Sequence, residues 1–334
     1  MRLDSVRELK TELIGPTPRP GGLLPQQAPP MGVIAQRMTD VGNVHPGIAL
    51  GVARGDKAND YRLAVRIQHR DLVEGSRVQA IAKAAKGEVD VRYVGVLSKQ
   101  ATAPATRYQR RIRPIQPGFS VGHFAITAGT LGAIVRMHGG DRPRILSNNH
   151  VLADENNGKI GDAILQPGAY DGGTVEKDKV AALEDYVQLD SNRANVADAA
   201  VALIDDDVAF KPAFPRLGAI TGLADLEAAE HVVKVGRTTG FTHGHITAIE
   251  VDQVAVRYAA GLLRFDGQIE ISGVDGHPFS QGGDSGSLII DSDSKSALAL
   301  LFAGSDQGGP DGVGVTYANP LSVVFQQLSI AGLW

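Results

Sequence analysis

A run of small and polar residues, Gly282-Gly283-Asp284-Ser285-Gly286-Ser287, passes without a spacer into the apolar stretch Leu288-Ile289-Ile290. A loop with so little side-chain bulk, feeding straight into a strand-like run, constrains the chain to a tight turn anchored on a sheet. A serine between small residues can hold its Oγ in the open. The backbone N–H groups of Gly283 and Ser285 can converge on one point, so that nucleophile and oxyanion donors come from one short segment. The same composition is also ordinary turn material, and the loop alone does not decide between the two.

Two partners lie upstream. His150 ends the strand-like run that begins Ile145-Leu146-Ser147-Asn148-Asn149, and Asp198 opens the run Ala199-Ala200-Val201-Ala202-Leu203-Ile204. Alone, a histidine after a strand is commonly structural, and an aspartate before an apolar run commonly marks a strand boundary. Together with Ser285 they supply a nucleophile, a base that titrates near neutral pH and an acid able to hold that base in one tautomer. The order is His, then Asp, then Ser, which is the chymotrypsin order.

These residues resemble the trypsin/chymotrypsin-like serine protease superfamily. Ser147-Asn148-Asn149-His150-Val151 is similar to the histidine segment of bacterial HtrA-type members, and Gly283-Asp284-Ser285-Gly286 to the nucleophile loop. Val235-Gly236-Arg237-Thr238-Thr239-Gly240, with Gly244 beyond, is similar to a strand and turn of streptogrisin-like proteases. The layout that includes Ser120-Val121-Gly122-His123 and Thr127-Ala128-Gly129-Thr130 looks like the intracellular Narrow-leaf-type trypsin-like group.

The resemblance spans about residues 118–334. It implies a mainly β fold of two antiparallel, chymotrypsin-like β-barrels, about 118–212 and 213–334. It also implies a catalytic set of His150, Asp198 and Ser285, with Gly283 and Ser285 as the oxyanion hole. Asp284 then needs a buried cation. No start of the kind released by zymogen cleavage is recognisable, so the streptogrisin pattern assigns that role to Arg237. The substrate pocket is expected from Phe279, Ser280 and Gln281 on one wall and Gly314 on another. Leu301-Phe302-Ala303-Gly304-Ser305 should supply the strand that pairs with substrate backbone. Phe279 stands where trypsin keeps its acid, which favours an apolar or small P1 residue, although Asp306 and Asp311 lie nearby in sequence.

Residues 1–117 read differently. Val6, Leu9, Leu13 and Ile14 share one helical face, and Gly15 to Gly32 is a Pro- and Gly-rich linker. Two strand-like runs at 47–52 and 61–67, a helix at 77–86 and a strand at 89–94 make a small α/β module. A second linker, from Ala101 to Gly118, carries Arg107, Arg110, Arg111 and Arg113, and linkers of this kind are open to nicking. The module either shields the cleft until it moves or docks elsewhere and recruits a partner; recruitment is favoured, in which case a chain begun near Gly118 should fold alone. Pro320 to Leu328 is expected as a C-terminal helix with proline in its first turn.

Composition narrows the function. No cysteine is present, which excludes disulfides and thiolate metal sites and leans toward a reducing compartment. The charged start is no signal peptide, no apolar run is long enough to span a bilayer, and the net charge of −4 forms no basic stripe for nucleic acid. His243 and His245 share a strand face without a third ligand nearby and are read as exposed strand histidines; no cofactor or metal is expected. Asp154-Glu155-Asn156-Asn157-Gly158 lacks the glutamate of a calcium loop and reads as a turn. The expectation is a cytoplasmic endopeptidase that cleaves a specific protein, possessed of one dedicated partner protein. A non-catalytic peptide-binding scaffold and an acyl-ester hydrolase are the alternatives.

Overall fold

The computed structural model describes residues 1–14, 47–55, 57, 59–98, 107–126 and 128–334. The first linker, residues 99–106 of the second and Thr127 lie outside the described residues.

Two curled sheets carry most of the chain, as expected for the chymotrypsin-like class. The first has eight strands in the order β20-β7-β8-β11-β10-β9-β5-β6. They are β5 (Ser120–His123), β6 (Gly129–Thr130), β7 (Ala133–Met137), β8 (Gly140–Ser147), β9 (Ala163–Leu165), β10 (Lys179–Tyr186), β11 (Ala200–Ile204) and β20 (Ile330–Leu333). The second is built on β12 (His231–Gly236), β13 (Gly240–Asp252), β16 (Gln268–Gly273), β17 (Leu288–Asp291), β18 (Ala297–Gly304) and β19 (Thr316–Pro320). These six pair in a ring, β12-β13-β16-β19-β18-β17 and back to β12, and so close a barrel. β18 is buried at every position because both of its faces are covered: Leu298 and Leu301 share a core with Ile269 and Ile271 of the barrel, Leu300 with Ala133 and Leu146 of the first sheet, and Phe302 with Leu97 and Val256. A hairpin, β14 (Val254–Tyr258) with β15 (Gly261–Phe265), projects from this barrel toward the first sheet.

The helix expected at the C-terminus is Leu321–Gln327, begun by Pro320 as its N-cap. It does not end the chain. β20 follows and pairs with β7, Leu333 opposite Val135, so the last residues return to the first sheet.

The N-terminal module holds the elements read from sequence, helix α1 (Leu3–Ile14), β1 (Ile48–Arg54), β2 (Tyr61–Ile67), helix α2 (Ser76–Ala84) and β3 (Val89–Tyr93), and one that was not, the short β4 (Leu97–Ser98). β2 and β3 are parallel across α2, the arrangement a helical crossover permits. The module is woven into the second barrel. β1 pairs with β13, Leu50 opposite Asp252 and Val52 opposite Ile249, while β4 lies between β14 and β18. Val6, Ile48, Leu63 and Ile81 share one apolar core with Ile271, Leu301 and Ala318.

A polar bolt crosses the same junction. The fully buried Arg66 guanidinium meets the fully buried Glu270 carboxylate at 2.7 Å and also Asp90 at 2.9 Å. Glu270 further accepts from Tyr317 OH and Thr247 Oγ1, each at 2.6 Å. The arginine-bearing stretch is also fastened where it is described. Arg111 pairs with Asp178, Arg113 Nη1 and the Ile112 N–H donate to Gln166 Oε1, and Tyr108 is buried against Phe119.

The shared sheet, core and ion pair argue against a chain begun at Gly118 folding alone. That chain would lose β1 from β13, half of a shared core and the cation opposite Glu270. Stranding one member of a buried pair costs about 3–5 kcal/mol by itself. A protein truncated to 118–334 should be insoluble or lack a cooperative melting transition; a sharp transition by calorimetry would refute the interdependence.

Candidate active site

Strand register brings His150 and Asp198 together. β8 and β11 are antiparallel with Ser147 opposite Ala200, so residues just past the end of β8 face residues just ahead of β11. A single helical turn, Asn149–Leu152, follows β8 and presents the His150 ring. Its Nδ1 lies 2.5 Å from Asp198 Oδ2, while the His150 N–H donates to Asp198 Oδ1 at 3.1 Å. Asn148 Nδ2 donates to the Asp198 carbonyl at 2.7 Å and fixes the approach. With Nδ1 engaged, Nε2 is the ring nitrogen left for the cleft.

Asp198 has no solvent exposure. Burial acts to raise its pKa, but the attraction of His150 and the hydrogen bonds from His150 and Tyr258 outweigh it and bring the carboxyl below the ordinary value. Tyr258, at the end of β14, donates its hydroxyl to the same Oδ2 at 2.5 Å. Burial, followed by the neighbouring Asp198 charge, pushes the phenol well above the usual tyrosine range, so it remains a donor. The sequence reading missed Tyr258; a tyrosine in the alternating run Val254-Ala255-Val256-Arg257-Tyr258 carries no local sign that its hydroxyl meets an acid sixty residues earlier.

The Ser285 loop is held from both sheets. Thr130 of β6 donates through its N–H to Ser285 O at 2.8 Å and through Oγ1 to Gly283 O at 3.0 Å. On the other side, Gly286 N–H donates to Leu301 O at 2.8 Å. Gly283 has φ +93°, and a Cβ there would stand 2.3 Å from Arg237 Nη1, so the position demands glycine on two grounds. The N–H groups of Gly283 and Ser285 donate to nothing among the described residues. Ser285, Gly283 and His150 line one cleft of about 650 Å³, together with Ala125, Tyr170, Glu155 and Ala259. No hydrogen bond joins the Ser285 hydroxyl to the His150 ring among the described residues.

Asp284 is completely buried. Oδ1 accepts from the N–H groups of Thr238 at 2.8 Å and Thr239 at 3.1 Å; Oδ2 accepts from Gln281 N–H at 3.0 Å and Thr239 Oγ1 at 2.7 Å. The cation beside it is Lys234, whose Nζ lies 3.3 Å from Oδ2. This corrects the expected pairing with Arg237. The Arg237 guanidinium instead forks onto Asp171, with Nε 2.6 Å from Oδ2 and Nη2 2.5 Å from Oδ1, beside the Tyr170 ring.

Strand periodicity explains the exchange. Lys234 and Gly236 share one face of β12 and both point at Asp284, where a Cβ on Gly236 would come within 2.4 Å of Oδ1. Arg237 lies past the strand end and turns to the cleft wall. A lysine inside Val232-Val233-Lys234-Val235 was the available signal, since a strand so apolar buries that position. Burial lowers the Lys234 pKa, with the Asp284 charge opposing.

Of the residues expected to form a substrate pocket, Phe279, Phe302, Ala303, Gly304 and Gly314 are buried, Ser280 Oγ is 2.7 Å from Thr316 Oγ1, and the Gln281 backbone N–H donates to Asp284 Oδ2 at 3.0 Å. Gly304 pairs with Ser98 of β4. Among the described residues no cluster of three or more His, Asp or Glu side chains could hold a metal ion, and no helix is long and apolar enough to cross a membrane. His243 is exposed on β13 and His245 half-buried.

No family model and no curated protein matches the chain. Solved structures do. The chain is similar to Protease A of Thermobifida fusca at 18% identity, covering 66% of this chain and 98% of that one, with a TM-score of 0.46. It is similar to the Nocardiopsis protease at 17% identity over 66% and 99%, TM-score 0.46, and to the chymotrypsin of Cellulomonas bogoriensis at 16% over 66% and 99%, TM-score 0.44. Two of these are proteases by name and the third a chymotrypsin. At such values the likeness carries no argument, and the fold class rests on the sheet topology described above.

Lys234→Met should cost about 3–5 kcal/mol in urea unfolding, because Asp284 would be left as an uncompensated buried charge; a loss below about 1 kcal/mol, the range of exposed pairs, would show that the lysine is dispensable. Tyr258→Phe should alter the acid limb of stability. The folded pKa of Asp198 lies below the unfolded one, so its contribution is present above the unfolded value and lost as pH falls through the folded value. Removing the phenol donor raises the folded pKa toward the unfolded one, so the fall in Tm on acidification should be smaller and should level off at higher pH than in the parent. Superimposable Tm–pH curves would exclude a Tyr258 hydrogen bond to the carboxylate.

Proposed function

We propose that the chain is a serine endopeptidase that works through an acyl-enzyme. Ser285 Oγ attacks the carbonyl carbon of a peptide bond as His150 Nε2 takes the hydroxyl proton. Asp198 holds the imidazole in the required tautomer and stabilises its cationic form. The developing oxyanion is received by the N–H groups of Gly283 and Ser285. As the C–N bond breaks, His150 returns the proton to the leaving amine; water then repeats the sequence in reverse and frees the acid.

One observation carries this reading: a buried histidine–aspartate pair opens into the same cleft as a serine whose loop offers two unspent amide donors. An oxyanion donor of this type is worth about 10²–10³ in kcat, so unengaged N–H groups beside a nucleophile are the feature to expect of an acyl-transfer site. The cysteine-free composition favours a reducing compartment such as the cytoplasm, where cleavage confined to one protein substrate or governed by a dedicated partner suits a protease best.

Full-length protein should gain the mass of one phosphonyl group on treatment with a fluorophosphonate, at Ser285. Ser285→Ala should take up none, and His150→Ala should lose almost as much reactivity, because residues that act as a unit fail together. Equal labelling of parent and Ser285→Ala would sink the assignment, and no labelling of the parent would favour a non-catalytic scaffold.

A further inference from the structure

The edge of β18 beside the Ser285 loop is already occupied. Leu301 exchanges backbone hydrogen bonds with that loop, its carbonyl accepting from Gly286 N–H at 2.8 Å and its N–H donating to Ser287 O at 3.0 Å. Three residues further along β18, Gly304 pairs with Ser98 of β4. β4 is antiparallel to β18, so its direction from Leu97 to Ser98 leads back from Gly304 toward Leu301 and the Ser285 loop. A peptide adding to this edge with its scissile carbonyl at Ser285 would run in that same sense, because the bond to be cut lies C-terminal to the half that pairs.

β4 is gripped on both sides. Its other edge is parallel to β14, Leu97 opposite Val256 and Ser98 opposite Arg257. Leu97 is 1% exposed and shares a core with Val256, Phe302, Ala303 and Val315. Ahead of it, Tyr93 O accepts from Gly309 N–H at 2.9 Å, and Gly308 has no room for a Cβ, which would stand 2.4 Å from the same oxygen. The walls of the open cleft agree with this arrangement. They include His150, Ser285 and Gly283, but not Phe302, Ala303 or Gly304.

Building on the endopeptidase reading above, we propose that β4 is an internal occupant of the peptide-binding edge of β18, and that the protein is latent toward polypeptides until this segment leaves the slot between β14 and β18. The occupant also defines the class of substrate: an extended segment with an apolar side chain in place of Leu97, one residue before the position opposite Gly304. Latency of this kind leaves the nucleophile and its oxyanion donors assembled. A small reagent reaches them; a polypeptide does not.

The test separates these two reactivities in the full-length protein, using fluorophosphonate labelling of Ser285 and hydrolysis of fluorescein-labelled casein. Leu97→Asp places a charge where the strand is buried and should expel it. Labelling should stay within about twofold of the parent, while casein hydrolysis should rise about tenfold or more, the factor expected if the slot is open in at most a tenth of parent molecules. Unchanged or lower casein hydrolysis with labelling retained would overturn the proposal. If Leu97→Asp loses both labelling and its melting transition, Ser98→Pro decides, since it removes only one strand N–H and fixes one φ. A rise in casein hydrolysis with labelling retained supports the proposal, and an unchanged rate overturns it. Failure of the parent itself to label would instead overturn the endopeptidase reading.

Discussion

A carboxylate sealed from solvent has to be answered on every lone pair, and the Asp284 side chain organises the surrounding chain by that requirement. Its oxygens collect three backbone N–H groups, one hydroxyl and one ammonium. Those donors come from β12, from the turn that follows it and from the loop that leads to Ser285. Meeting the demand of one acid therefore positions the Ser285 loop, bends it through the left-handed Gly283 and keeps two of its amides free. Because the ammonium belongs to a strand interior, the loop is ordered once the barrel closes, with no chemical event at a chain end.

Asp198 plays a comparable part between the two sheets. It sits ahead of β11 in the first sheet, yet two of its partners belong to the second: Tyr258 on its carboxylate and Asn319 Oδ1 on its N–H. Asn319 in turn reaches Gln268, whose amide donates to Val196 O two residues before Asp198. The contact between the sheets is thus a closed polar circuit around one acid. Networks of this kind are costly to leave half-satisfied, and here the circuit fixes where the imidazole stands relative to the serine loop of the other sheet.

Much of this was legible in the chain. Glycine-punctuated Val/Ile/Thr runs gave the β class, and the alternation in Tyr61–Ile67 and Val89–Tyr93 placed strands of the module. His150, Asp198 and Ser285 each abut an apolar run, and the structure brings the first two into contact and His150 and Ser285 to one cleft. What stayed hidden was long-range. Lys234 was passed over for Arg237 because motif likeness outweighed the two-residue period that turns 234 and 236 to one face. Tyr258 and Asp198 are joined only by the packing of a hairpin. β4 was hidden for a similar reason: Leu97-Ser98 is a dipeptide too short to announce a strand, and its pairing partners lie more than 150 residues away.

The slot held by β4 can also be viewed as a contest between concentrations. A segment joined covalently to the barrel meets its slot at an effective concentration of about millimolar, whatever the dilution of the protein. A free peptide making equal contacts and present at about micromolar level would hold the slot roughly once in a thousand encounters, simply by the ratio of the two. Discrimination then comes from surplus contacts. On the proposed endopeptidase reading, only a chain that grips more of the cleft than Leu97 and Ser98 can, or a protein that draws the module's strand aside, would shift the balance, and most polypeptides would pass uncut.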